Sequence, residues 1–494
     1  MGNDMKEVVR MNFTNALREE AKWTTTENGA ICKNTTDSAL LDLFATIGSL
    51  RERSEFDIQR LFGLAYDENP LYAVKTLFYA RDIREGLGER RTFRVILPYL
   101  VQKNPEAVIK NLKYIGEYGR FDDYYCLIGT PVEKEMWATV KEQLMKDLSD
   151  MEAGKPVSLL AKWLKSADAS SERTRKLGIY TARSLGLSVY VYKRLVKSLR
   201  KYIDIVERRM SANEWNTINY SSVPSKAMMN YRNAFMRHDE ERFSQYLNDV
   251  SVGKEKINTS TLYPYDIVEK VLYGHEDNTV LEAQWNNLPN YIDNECNVLV
   301  MADVSGSMAG RPMATSVGLA LYFAERNKGP YHNIFMTFSG RSEIVEVKGS
   351  TLYDKIHFIS KANWEMNTNL EAALFKILEI AHENNCSQDD LPKALIIISD
   401  MEIDACTRQE HKEQFYDYVA RKYEEVGYRI PNIVFWNVNS RHDVFHADKN
   451  RKGVLLVSGQ SANTFRNVLN AIDKTPMDLM YQVLDSDRYK PITI

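Results

Sequence analysis

Val298-Leu299-Val300-Met301-Ala302-Asp303-Val304-Ser305-Gly306-Ser307-Met308 is the stretch on which the reading of the second half of this 494-residue chain turns. Five apolar residues in succession, closed by polar ones, read as a strand buried on both faces, as in a parallel sheet covered by helices. Asp303, Ser305 and Ser307 then follow at alternate positions. A turn leaving the carboxyl end of the strand aims one carboxylate and two hydroxyls at one point, where open α/β sheets gather their ligands. Such oxygens suit a hard divalent cation, magnesium or a substitute such as manganese. Ser and Asp also favour helix starts, so a plain capped turn is the competing reading.

Outward from this stretch, short apolar runs at 297–302, 333–338, 394–399, 432–437 and 453–457 alternate with helical spacings. That alternation predicts an α/β domain over 294–475, a doubly wound and mainly parallel sheet with helices on both faces. Two further segments stand in order, Asn367-Thr368-Asn369-Leu370-Glu371 before a helix and Ile396-Ile397-Ile398-Ser399-Asp400 at a strand end. Together with Asp303-Val304-Ser305-Gly306-Ser307 they resemble the metal-ion-dependent adhesion site of von Willebrand A domains. The resemblance implies that Asp303, Ser305, Ser307, Thr368 and Asp400 hold magnesium and leave one position for a protein partner's Asp or Glu. Glu402 and Asp404 add acids nearby, which keeps a metal-dependent nuclease open. The neutral hydroxyls weigh against it, since two-metal nucleases rely on several carboxylates.

From about Ser38 to Leu247 apolar residues recur at spacings of three and four, as in Leu195, Leu199, Tyr202 and Ile203. Breaks at Asn69-Pro70, Gly86-Leu87-Gly88, Asn104-Pro105, Thr130-Pro131, Gly154 to Pro156 and Val223-Pro224 divide the region into helix-length pieces. The expectation is an all-α domain over 38–280, a stack of HEAT-like helical repeats, preceded by an N-terminal segment 1–37. A junction falls within the polar stretch from Lys254 to Pro289, and a C-terminal tail covers 476–494.

Charge is unevenly spread. The net value is −3, yet between Lys155 and Arg209 fourteen basic residues face four acidic ones, an excess of ten. Lys162, Lys165, Arg173, Arg175, Lys176, Lys193, Arg194, Lys197, Arg200 and Lys201 form the centre of this region, with Tyr180, Tyr190, Tyr192 and Tyr202 among them. Cations that follow a phosphate backbone beside aromatic faces that stack bases are the elements of single-strand RNA binding. Solvated helix faces over a tyrosine core give the same pattern. Gly86-Leu87-Gly88-Glu89-Arg90-Arg91 lacks the Lys and Ser or Thr of a phosphate loop and reads as a helix terminator. Arg90 and Arg91 then either hold a phosphate or pair with Asp82 and Glu89, and the nearby acids favour pairing.

Lys75-Thr76-Leu77-Phe78-Tyr79-Ala80-Arg81-Asp82, Gly119-Arg120-Phe121-Asp122-Asp123 and Lys162-Trp163-Leu164-Lys165-Ser166 complete a layout that, with the C-terminal domain, resembles the TROVE-containing Ro ribonucleoproteins. It looks closer still to an uncharacterised TROVE-like family with the same arrangement. In Ro proteins a ring of helical repeats holds single-stranded RNA ends, and a basic outer surface holds small structured RNA. The resemblance therefore implies a non-enzymatic RNA-binding component, and a protein-interaction scaffold without RNA is the alternative.

The remaining composition is ordinary for a soluble protein, with 44% hydrophobic and 27% charged residues. No run approaches the roughly 20 apolar residues of a membrane helix. Cys32, Cys126, Cys296, Cys386 and Cys406 are widely spaced without a C-x-x-C pair, which excludes a zinc knuckle and a disulfide framework. The first residues lack the apolar core of a secretory signal, so a cytoplasmic location is expected.

Overall fold

A computed structural model describes residues 12–274, 279–292, 295–338, 342–360, 369–406 and 413–494. The sheet of the C-terminal half contains the five expected strands: β3 (Val298–Asp303), β4 (Ile334–Phe338), β6 (Ala394–Ser399), β7 (Asn432–Asn437) and β8 (Val454–Ser458). A sixth, β5 (Glu343–Glu346), pairs antiparallel with β4 at the edge and gives the order β5-β4-β3-β6-β7-β8. The other pairings are parallel, so the sheet is mixed. The continuous apolar runs have their physical reason here. Val298, Val300, Ala302, Ile396 and Ile398 enter one core, while Leu299, Met301, Leu395 and Ile397 enter another on the opposite face.

The first half is helical, and its boundaries follow its capping residues. Asn69 accepts the Tyr72 N–H at 3.2 Å and Asn104 accepts the Ala107 N–H at 3.0 Å. Each caps a helix that the next proline begins, Pro70–Arg81 and Pro105–Asn111. Ser171 and Ser188 likewise cap Glu172–Ser184 and Val189–Ile203. Residues from Val206 to Val280 enclose a separate small core around Tyr220, Phe235 and Phe243.

Three segments expected as connections are built into the fold instead. The presumed N-terminal segment holds a hairpin of β1 (Trp23–Thr25) and β2 (Ile31–Lys33), bridged to the sheet domain at Gly29–Asp404 and Lys33–Phe445. Cys32 of that hairpin is buried in the core of the C-terminal half. At the expected junction, the helix Pro264–Gly274 lies along the helix Arg311–Arg326, and the Arg311 guanidinium sits 4.1 Å over the Tyr265 ring. The expected tail forms the helix Pro476–Leu484, opened by a Thr475–Asp478 capping box and packed on Ala39–Thr46 and Pro70–Arg81. Leu479, Met480, Leu484 and Ile492 are all buried there, so their apolar surface is what holds the segment in place. Arg488 adds ion pairs to Asp82 at 2.8 Å and to Glu117 at 2.8 Å.

At Gly48 the two halves meet backbone to backbone. Its N–H donates to Ser458 Oγ at 3.0 Å, and a Cβ there would lie 2.7 Å from the Gly459 backbone. Backbone on backbone leaves nothing that can give way cheaply. Gly48→Ala is expected to lower unfolding free energy by about 1–3 kcal/mol, read from the urea midpoint. A loss below about 0.5 kcal/mol, the usual range for surface changes, would show that the two halves meet loosely.

Candidate metal centre and basic face

Parallel pairing of β3 with β6, with Ala302 opposite Ile398, brings the ends of both strands together. Asp303 ends β3, and its Oδ2 accepts a 2.6 Å hydrogen bond from Ser399 Oγ at the end of β6. Asp400 is the next residue. Beyond Asp303 the chain turns tightly, so that the Ser305 N–H donates to Asp303 Oδ1 at 2.9 Å and the hydroxyls of Ser305 and Ser307 lie 3.1 Å apart. Asp303 and Asp400 are both fully buried, Ser305 is buried and Ser307 is exposed. Burial, and next the Asp400 carboxylate, push the Asp303 carboxyl up to about 7. Four of the five expected ligand residues thus share one strand-end turn region. The fifth, Thr368, lies outside the described residues, although Asn369 after it caps the helix Leu370–Glu383.

Around this turn, beside the Glu402 and Asp404 already noted, stand Arg441, Glu27 and His442, which no local pattern announced. Arg441, after β7, reaches Asp400 Oδ2 at 3.0 Å and Glu27 Oε2 at 2.7 Å. Glu402, fully buried, accepts the Glu27 N–H at 2.7 Å and faces His442 Nδ1 at 3.1 Å. Acid and imidazole atoms of Glu27, Glu402 and His442 lie within 4.8 Å of one another. The β1–β2 turn is fastened over this loop by Thr26 Oγ1 on Ile403 O at 2.6 Å and Asn28 Nδ2 on Glu402 O at 2.7 Å. Glu27 is some 370 residues away in sequence, and its partners became visible only once the hairpin docked. Asp404 bridges to Gly29 of that turn.

The basic residues singled out above separate into two groups. Arg200 is not a surface cation. Its guanidinium donates to Ala161 O at 2.8 Å, Leu164 O at 2.6 Å and Ser166 Oγ at 2.6 Å, closing the end of the helix Leu160–Trp163. Burial lowers its pKa accordingly. Arg175 likewise donates to Ala169 O at 3.0 Å. Lys176 pairs with Glu172 at 2.7 Å and Lys193 with Asp168 at 3.1 Å, both at the surface. Lys162 and Lys165 are half-buried beside the rings of Trp163 and Tyr125. Arg173, Arg194, Lys197 and Lys201 are exposed.

On the helix Val189–Ile203 the inward face is Tyr192, Val196 and Leu199, and the outward stripe is Tyr190, Lys193, Arg194, Lys197 and Lys201. Tyr190 is 73% exposed. Tyr192 is buried with its hydroxyl on Lys165 O, and the hydroxyls of Tyr180 and Tyr202 hold Glu133 and Lys155 O.

With this geometry fixed, comparison with known proteins adds the following. Residues 297–487 match a family described as Domain of unknown function (DUF7788), and 26–151 with 182–298 match Domain of unknown function (DUF2828). Neither description carries an activity. An uncharacterised protein of Acanthamoeba polyphaga mimivirus is 28% identical over 511 residues, which cover 95% of this chain and 88% of that protein. Among solved structures, the Ro (RSR) protein of Deinococcus radiodurans aligns with a TM-score of 0.38 and 13% identity, over 86% of this chain and 92% of that one. Likeness at that level says nothing about function. No described helix is long and apolar enough to cross a membrane.

Arg200 and Lys197 sit three residues apart and should behave oppositely. Arg200→Ala strands carbonyls that a charged donor satisfied, and is expected to cost about 2 kcal/mol of stability in urea unfolding. Lys197→Ala should change it by less than about 0.5 kcal/mol. Equal effects would contradict the division into clamp and surface.

Proposed function

We propose that this protein binds single-stranded or small structured RNA through its helical half and a protein partner through a divalent-cation site in its C-terminal half. The observation that carries the RNA reading is the outward stripe Tyr190, Lys193, Arg194, Lys197 and Lys201, cationic over about two and a half turns beside an exposed ring. Cations along a helix track a phosphate backbone and release its counterions, while an exposed ring offers a stacking surface to any base. The motifs that resemble Ro proteins support the same reading. The action is binding without turnover.

In the C-terminal half, a von Willebrand A type site fits the donor set. Two fully buried carboxylates repel one another, with two hydroxyl oxygens beside them. Asp303, Ser305, Ser307 and Asp400, with Thr368, would hold magnesium, which supplies a coordination position for a partner's carboxylate. Arg441 on Asp400 is a further cation at this site. A cytoplasmic location agrees with five free cysteines.

Two measurements test these readings. Arg194→Glu, Lys197→Glu and Lys201→Glu together should abolish most co-purifying RNA and weaken binding of a labelled single strand at least tenfold, with a shallower salt dependence. Arg200 is left intact so that the fold is preserved. Unchanged affinity would defeat the stripe as the RNA surface, and absence of RNA from both proteins would favour a scaffold that binds proteins alone. Separately, magnesium should raise the thermal midpoint of the native chain and leave that of Asp303→Ala unmoved. Equal shifts would remove these residues from metal binding.

A further inference from the structure

Sequence spacing favoured pairing of Arg90 with Asp82 and Glu89, but both acids are engaged elsewhere. Asp82 is held by Arg488 at 2.8 and 3.1 Å, and Glu89 by Arg51. Arg91 donates to the carbonyls of Arg51 and Arg53 at 3.1 and 2.9 Å. Arg90, exposed in the first turn of the helix Arg90–Lys103, has neither a hydrogen bond nor an ion pair among the described residues.

Its surroundings are cationic. Arg94 lies one turn on and binds Asp123 at 2.6 Å and Asp122 at 3.0 Å. Arg120 binds the same Asp122 at 2.6 Å, and Arg81 binds Asp123 at 2.7 Å. Three guanidiniums therefore share two carboxylates, and the unpaired Arg90 beside them brings the excess to two positive charges. Burial, and then the charges of Arg120 and Arg94, lower the Arg90 pKa and outweigh the opposing charge of Asp122. Arg120 also stacks 3.8 Å over Trp163, which carries Lys162 on the same helical turn, with Lys165 over Tyr125 beyond. Arg200 fixes that turn to the helix bearing the outward stripe. Basic groups thus run from the start of Arg90–Lys103 across Trp163 toward Lys197.

We infer that Arg90, with Arg94 and Arg120 beside it, seats a phosphate group of the bound RNA strand, so that the strand's path runs from this seat along Lys162 and Lys165 to the stripe. The seat rests on the RNA-binding reading for its ligand, and on the unpaired guanidinium for its position. Guanidinium recognises phosphate through paired N–H donors, and here Arg94 and Arg120 are already oriented by Asp122 and Asp123. Arg90 is the group left to complete the contact.

The test uses the full chain and two probes, a fluorescein-labelled oligouridylate and inorganic pyrophosphate. Arg90→Ala should weaken oligouridylate binding about five- to tenfold and lower the salt slope by about 0.7, the value of one single-strand phosphate contact. Arg90→Lys should recover part of the affinity. Pyrophosphate should raise the thermal midpoint of the native chain saturably against sodium chloride of equal ionic strength, and not that of Arg90→Ala. Oligouridylate affinity unchanged in Arg90→Ala overturns the seat while leaving the stripe in place. If the native chain ignores oligouridylate but its pyrophosphate response depends on Arg90, the phosphate seat stands and RNA as its ligand falls. Failure of both probes overturns the proposal.

Discussion

One apolar core joins the helical half to a face of the sheet, and the rest of the structure depends on that sharing. Leu40 and Phe44 from the first helical pieces, Val457 from β8 and Leu484 from the C-terminal helix belong to the same buried cluster. Neither half closes its interior alone. The sheet would expose the side chains of alternate strand positions, and the helices would expose theirs, so burial of each surface requires the other. The sequence pattern suggested two units with a junction between Lys254 and Pro289, and the packing brings them into contact at Gly48, at Tyr265 and along the C-terminal segment.

That contact extends to the site. The strand-end turn is shaped by local residues, yet what lies over it comes from the N-terminal hairpin. Glu27 reaches Glu402 and Arg441 only because β1 and β2 are bridged to the sheet domain. Charges on two chain segments far apart in sequence are thereby balanced at one place, with Arg441 between the buried Asp400 and the exposed Glu27. A buried carboxylate pair is costly unless a cation or hydrogen bonds answer it, and the arrangement supplies both in part.

The basic half shows a different lesson about charge. Of ten cations that composition drew together, Arg200 completes a helix end and Arg175 holds the loop before its own helix, both by donating to carbonyls, work that any dense basic stretch can conceal. Lys176 and Lys193 meet neighbouring acids at the surface, where such pairs contribute little. Those facing solvent without engagement trace a narrower surface than the count of charges implied. Conversely Arg90, whose neighbours in sequence promised partners, is left without one because Arg488 and Arg51 take them.

Local chemistry settled much of this protein before any packing was considered. Five buried strands announced themselves because a strand covered on both faces must be apolar throughout, Asp303, Ser305 and Ser307 because they alternate within one turn at a strand end, and Asp400 because it closes a second apolar run. Helix boundaries at Asn69-Pro70 and Asn104-Pro105 were legible because capping acts within a few residues. The edge strand β5 was not, since Glu343-Ile344-Val345-Glu346 buries little of one face and carries no continuous apolar run. Glu27, Arg441 and His442 at the strand-end turn, the docking of the final helix and the choice of partner for each arginine were decided only by tertiary structure. Hydrogen bonds and ion pairs are chosen by distance in space, and spacing along a chain carries that information only within a turn or two.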